Sequence, residues 1–383
     1  MLNIKTESMN FVVSSSTLLG HLQAVSKVIS SKNTLPILDN FHFLINGNNL
    51  VITTSDLEST LTTNIELIQS DGNIDIAIEA KRLLDMLKEF PEQPLTFNIN
   101  EETKSIEITT SNGKYSVVGQ DGADFPKVPE IKKENAIGFH LSTEALLSGI
   151  TKSVFATADD ELRPVMNGIF IELSPENITF VATDAHKLVR YRRLDANCET
   201  TTSFILPKKP ATLLKNILGR KEGIVNVLFD DKNAVFSFTD YTLVCRLVEG
   251  NYPNYNSVIP SESPNRLTID RVELYNTLKR VSVFANPASN LVRLNLAANQ
   301  LTISAQDIDY AISAYERINC QYEGTEMEIG FKSVFLIDIL SNISSTEIFL
   351  ELSDPSRSGI LLPAEKDEKE EILMLLMPMM INS

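Results

Sequence analysis

The sequence predicts an α+β fold used three times in one chain, each copy carrying two helices and mostly antiparallel sheet. Three observations predict it. A motif of the form apolar-x-apolar, then Ser or Asp, then a helix with paired apolar residues, opens at Phe11, Phe139 and Leu267, 128 residues apart each time. A partly alternating strand pattern ending on Asp recurs as Leu50–Asp56, Ile178–Asp184 and Leu301–Asp307. A second helix pattern recurs as Ala80–Lys88, Pro207–Lys215 and Phe331–Leu340. The interval exceeds any solenoid repeat, so each copy is a whole domain. Three like domains imply assembly by symmetry, as an arc or a ring.

Each element has a local reason. The Ser or Asp before each first helix is a capping residue. The Asp that ends each recurring strand is a turn former. In the second helix of copy one, Leu83, Leu84 and Leu87 form one apolar stripe. Pro207 and Pro210 suit a first helical turn, where a missing N–H is harmless. Asn112-Gly113 reads as a hairpin turn. Gly122-Ala-Asp-Phe-Pro126 and Glu249-Gly-Asn-Tyr-Pro253 close the first two copies, and Pro129 and Pro260 mark the joins. The expected domains are 1–132, 133–261 and 262–383.

Composition narrows the function. Hydrophobic residues make up 43% of 383, enough for real cores. The three cysteines, Cys198, Cys245 and Cys320, are scattered and form no CxxC, which fits a reducing cytoplasm. Met1-Leu-Asn-Ile-Lys-Thr-Glu7 lacks the basic and apolar regions of a secretory signal. The longest apolar run, Ile372–Ile381, is about half of what a spanning helix needs. The net charge of −16 argues against nucleic acid until it is resolved by position. Six helical windows (15–32, 79–90, 142–158, 207–222, 270–285 and 331–343) hold fifteen Lys or Arg against eight Asp or Glu. Their net is +7, leaving −23 elsewhere. Basic helices on an acidic body are a footprint for phosphate. The densest cluster is Lys208, Lys209, Lys215, Arg220 and Lys221. No aromatic residues interleave with it, which favours backbone contact over base stacking or sequence readout.

Signals for catalysis are weak. Asp184 and His186 could form an acid–base pair, but the other two copies carry the Asp with no His after it. A turn-forming Asp explains all three copies. His21, His42 and His140 lack metal-ligand spacing. Gly119–Asp124 is faintly like a calcium loop but has no bidentate Glu. No phosphate-cradling Gly-rich motif occurs. The Met-rich run Leu373–Ile381 is more informative. Methionine suits surfaces that accept varied partners, and Pro378 confines the run to a strand end or sheet edge.

Taken together, the threefold repeat, Thr34-Leu-Pro-Ile-Leu38, Thr183-Asp-Ala-His-Lys-Leu188, Tyr252-Pro-Asn-Tyr255 and Leu376-Met-Pro-Met379 resemble the bacterial sliding clamp family, the beta subunit of DNA polymerase III. The resemblance covers essentially the whole chain. It implies a head-to-tail homodimer whose six domains close a ring around duplex DNA, helices lining the inner face and sheets forming the outer one. It implies no catalytic residue, no cofactor and no metal. The DNA-contacting positions it implies are Lys32, Lys81, Arg163, Lys208 and Lys209. The first two are commonly Arg in the family, and Lys keeps the charge without bidentate geometry. Pro164 and Val165 stand where the family often has aromatic residues. The implied partner pocket accepts apolar-rich peptides of the replicative polymerase alpha subunit, the clamp loader and repair polymerases. It comprises Met166, Thr183, His186, Lys187, Leu188, Pro253, Val258, Leu375, Met377, Pro378 and Met379. Ala185 replaces a frequent Gly there, and Ser257 a frequent Arg. The implied dimer seam sets Arg82, Tyr115 and Val117 against Val283 and Phe284 of a second copy.

Overall fold

The computed structural model describes residues 8–131, 136–219 and 222–381. The expected join at 132/133, Met1–Glu7, Arg220 and Lys221 lie outside the described residues. Six α-helices occur among the described residues: α1 (Ser15–Val25), α2 (Ala80–Lys88), α3 (Thr143–Ser153), α4 (Lys208–Leu218), α5 (Arg271–Val281) and α6 (Ser333–Ser341). They stand where the two recurring helix patterns place them. Ser14 caps α1 by accepting from Thr17 N at 3.2 Å, and Asp270 caps α5 by accepting from Glu273 N at 2.7 Å. Pro210 falls within the first turn of α4, whereas Pro207 ends the strand Thr202–Pro207, one residue before the helix. None of the described helices is long and apolar enough to cross a membrane.

The packing does not follow the repeats. Contacts divide the chain into Met1–Glu144 with Thr212–Leu247, and Ala145–Ala211 with Val248–Ser383. Among the described residues, each unit is built on one nine-stranded antiparallel sheet and one smaller sheet. In the first unit, strand Ser59–Glu66 of copy one pairs with Tyr241–Arg246 of copy two, Leu61 opposite Leu243. In the second, Lys187–Arg193 of copy two pairs with Glu370–Leu376 of copy three, Leu188 opposite Leu375. Strand hydrogen bonding therefore runs through the repeat joins. An edge strand left bare is a template for another strand, and here the neighbouring copy covers it.

Helices supply the second layer. α1 packs on α2 and on the strands Asn49–Ser55 and Ser59–Glu66, and α5 packs on α6 and on Gln300–Asp307. α2 buries Ala80, Leu83 and Leu87 and exposes Lys81 and Arg82. α5 buries Leu274, Leu278 and Val281. Full burial of each such side chain is worth about 1.5–3 kcal/mol. Phe11 and Phe97 stack at 4.5 Å in the first core. Cys198 and Cys245 are buried, and burial pushes the Cys245 thiol up to about 12, which leaves it unreactive.

Candidate functional site

The Asp that ends the recurring strand is a turn residue in all three copies. Asp56 Oδ1 accepts from the N–H groups of Glu58 and Ser59 at 3.0 and 2.6 Å. Asp307 Oδ1 accepts from Asp309 N at 3.0 Å. Asp184 Oδ1 accepts from His186 N and Lys187 N at 2.9 and 2.8 Å. Its other oxygen takes Lys187 Nζ at 2.8 Å, in a pair only 6% and 15% exposed. The carboxylate is thus occupied by backbone and lysine, while the His186 ring stacks on Phe335 at 5.6 Å. The Gly119–Asp124 segment is likewise a turn, with Asp121 accepting from Ala123 N at 3.1 Å. No group of three or more potential metal ligands occurs among the described residues.

Ala185 holds φ 74°, a left-handed conformation that Gly adopts freely and Ala does not. Leu57 does the same after Asp56, at φ 76°. The strain at Ala185 is about 1 kcal/mol. Ala185→Gly is therefore expected to raise the stability of the second unit by about that amount, measured by chemical denaturation. An unchanged midpoint would show that the hydrogen-bonded turn absorbs the strain.

The turn carrying His186 grips the Met-rich segment. His186 O accepts from Met377 N at 2.8 Å, and two residues on Gly330 O accepts from Met379 N at 2.8 Å. Pro378, which has no N–H, stands between these two bonds and just past the last strand, Glu370–Leu376. Beneath lies an apolar cluster of Val181, Leu188, Tyr255, Ile360, Leu373 and Leu375, flanked by Phe170, Tyr252, Ile259 and Leu362. Phe170 and Tyr252 stack at 4.6 Å. Tyr255 donates its hydroxyl to Glu172, and burial first, then that carboxylate, pushes the phenol up to about 12. Burial also raises Tyr252. Both tyrosines stay neutral amphipathic surfaces.

The eleven expected pocket residues, all in the second unit, therefore fall into two layers. Thr183, Lys187, Leu188 and Leu375 are buried supports. His186, Pro253, Val258 and Met377 are exposed, and Met166, Pro378 and Met379 are half-buried. Lys187 turns its ammonium inward, 4.4 Å from the Phe335 ring centre and 3.9 Å from Asp338 Oδ2. Phe170, Ile360 and Phe335 carry no signal of their own in the sequence, whereas Tyr252 opens the Tyr252–Tyr255 motif. A cleft of about 570 Å3 in this unit shares Leu362 with that cluster and is otherwise lined by Lys152, Leu194, Ile343, Glu370 and Ile372 among others. It includes none of the eleven and is lined by charged residues as well as apolar ones, whereas the Met-rich surface lies over apolar and aromatic side chains.

Of the expected phosphate-contacting cations, Lys32 and Lys81 are exposed in the first unit, and Arg163 and Lys209 in the second. Lys208 is half-buried and pairs with Asp159 at 2.6 Å, and Arg163 pairs with Asp160 at 2.8 Å.

Of the expected association residues, Tyr115 and Val117 lie on an edge strand, Arg82 lies in α2, and Val283 and Phe284 lie in the short turn Ser282–Phe284. Lys114–Val118 is the last strand of the five-stranded sheet in the first unit. Val117 and Val118 line a groove there with Arg82, Leu83 and Met86, and Tyr115 packs on Phe90 at 5.1 Å. In the second unit Ile312–Asn319 is the last strand of the four-stranded sheet. Exposed Ile308, Tyr310, Ile312 and Tyr315 lie in or just before it, and Val283 and Phe284 are 74% and 38% exposed. The sequence singles out Val283 and Phe284 but not the strand Ile312–Asn319, because alternation does not reveal which strand ends a sheet.

Comparison with known proteins gives a consistent result. Residues 9–129, 140–254 and 256–380 match the N-terminal, central and C-terminal domains of the DNA polymerase III beta subunit. The beta sliding clamp of Pseudomonas putida is 28% identical over 367 residues, 96% of this chain and 99% of the relative. That of Bacillus subtilis is 25% identical over 380 residues, 97% and 99% respectively. The crystal structure of a Pseudomonas aeruginosa sliding clamp bound to griselimycin superposes with a TM-score of 0.92 at 25% identity, covering 98% of this chain and all of that one. A second structure of the Pseudomonas aeruginosa subunit gives 0.90 at 26%.

Proposed function

The chain belongs to the DNA polymerase III beta subunit family, and from that premise we propose that it is a non-enzymatic sliding clamp that tethers partners to duplex DNA. The observation that carries this reading is the match of all three domains, in order, over residues 9–380. The domains are taken as 1–132, 133–261 and 262–383. Two copies join head to tail, the Lys114–Val118 edge of one meeting the Ile312–Asn319 edge of the other. Such a heterologous contact closes into a ring when the rotation per domain completes a circle. The exposed apolar side chains on both edges support it.

Inside the ring, Lys32, Lys81, Arg163, Lys208 and Lys209 meet phosphates. Contacts to phosphate carry no base readout, so the ring can slide. Retention is topological and needs no tight binding. The surface formed by His186, Pro253, Val258 and Met377 over the apolar cluster takes apolar-rich segments of the polymerase alpha subunit, the clamp loader and repair polymerases. Griselimycin, bound by the Pseudomonas aeruginosa relative, is expected to occupy the same surface. The setting is the cytoplasm of a bacterium.

The test is topological. The protein is loaded onto nicked circular DNA with a clamp loader, and the circle is then cut. Protein should co-elute with intact circles and leave within minutes of linearisation. Equal retention on cut and uncut DNA would overturn the reading.

A further inference from the structure

We propose that Asp159 and Asp160 are built-in competitors for phosphate, which set how strongly this chain holds the duplex; the proposal rests on the DNA reading above. Asp159 Oδ2 holds Lys208 Nζ at 2.6 Å, and Asp160 Oδ2 holds Arg163 Nε at 2.8 Å. Both cations belong to the set assigned to DNA. Each therefore already has an anion in the place a phosphate oxygen would take.

The carboxylates are held in position. Asp160 N donates to Asn167 Oδ1 at 3.0 Å, and Asn167 Nδ2 donates back to Asp160 O at 3.0 Å. Asp160 Oδ1 accepts from Leu162 N at 2.9 Å, and Ala158 N donates to Met166 O at 2.9 Å. Asn167 O also accepts from Lys208 N at 3.0 Å, the first residue of α4. One asparagine thus anchors the acidic loop and the start of the basic helix together. The Arg163 contact holds the Asp160 carboxyl below the usual range, so it stays charged.

The physical consequence follows from how phosphate contacts gain free energy. Binding a phosphate releases mobile counter-ions into solution. Where the counter-ion is a tethered carboxylate, nothing is released, and the carboxylate remains to repel the phosphate. Exposed pairs are individually weak, and Asp159 is 80% exposed. The competition therefore weakens each contact without abolishing it, as a protein that must slide requires.

The experiment measures binding of a short fluorescein-labelled duplex to the full chain by anisotropy, across a potassium chloride series. Asp159→Asn and Asp160→Asn keep the side-chain shape and the acceptor oxygen. Each should tighten binding by about three- to five-fold at ~50 mM salt, and together by about ten-fold. The slope of log affinity against log salt should steepen by about 1 for each cation released. Glu176→Gln, on the turn Ser174–Asn177, makes the same change in net charge and should leave binding within about two-fold. Equal gains from Glu176→Gln, or no gain from either Asn variant, would overturn the proposal. If Lys208→Ala with Lys209→Ala leaves wild-type affinity and slope unaltered, the DNA assignment itself is wrong at these positions. Thermal unfolding of each variant confirms that it folds, and the two Asn variants are independent arms.

Discussion

Val283→Asp combined with Phe284→Asp is expected to turn the dimer into a monomer. These side chains are 74% and 38% exposed in the single chain, beside an edge strand that also presents Ile312 and Tyr315. In an isolated chain the added carboxylates face water and cost little. In a closed interface each would be a buried charge without a partner, at a cost of several kcal/mol. Together they should weaken self-association by at least about a hundred-fold, since each 1.4 kcal/mol is a factor of ten. Sedimentation velocity should show the shift to a single-chain mass, with an unfolding midpoint like that of the parent. Retention on circular DNA should vanish in parallel. A variant that stays dimeric would place the seam elsewhere and remove the role assigned to the Ile312–Asn319 edge. Val118→Asp, 73% exposed on the opposite edge, should reproduce the effect from the other side.

The second large effect is expected at Lys187. Its side chain is 6% exposed, and its ammonium sits 2.8 Å from Asp184 and over the Phe335 ring. Lys187→Met keeps the bulk but strips the charge, leaving a poorly solvated Asp184 carboxylate. Breaking such a pair from one side costs roughly 3 kcal/mol. The loss should appear as an earlier denaturant midpoint for the second unit. Asp184→Asn in the Lys187→Met background should recover most of it, because neither charge then remains. That cycle separates the pair from simple loss of packing. The turn also presents His186 O to Met377 N, so hydrogen exchange at Met377 N should quicken in the single variant and slow again in the double. If the single variant is as stable as the parent, the pair contributes nothing net and the backbone hydrogen bonds alone hold the turn.

Much of this molecule was legible in one dimension. The helix caps at Ser14 and Asp270, the buried stripe of α2 and the Asp turns at 56, 184 and 307 all follow from residues within a few positions of one another. Helix and strand periodicity are local properties, and they carried through to the fold with the starts of α4 and α6 shifted by one and two residues. The recurrence at Phe11, Phe139 and Leu267 fixed three copies of one architecture for the same reason. The segregation of Lys and Arg into helical windows was also visible, because it is a count.

Other features depended on partners far away in sequence. The pairing of Ser59–Glu66 with Tyr241–Arg246, and of Lys187–Arg193 with Glu370–Leu376, could not be read from either strand alone. An exposed edge strand and a covered one have the same alternation. Lys187 illustrates the point at a single residue. Its motif placed it on the peptide surface, but its ammonium points inward, held by Asp184 and by an aromatic ring from α6. Asp159 was unremarked in sequence, and only folding set it 2.6 Å from Lys208, forty-nine positions on. The sequence by itself determined the repeated elements and where charge is carried, since both are set by near neighbours and composition. The tertiary structure alone decided which edges are bare, which cations are already paired and which side chains form one surface, since those depend on contacts between residues that only folding brings together.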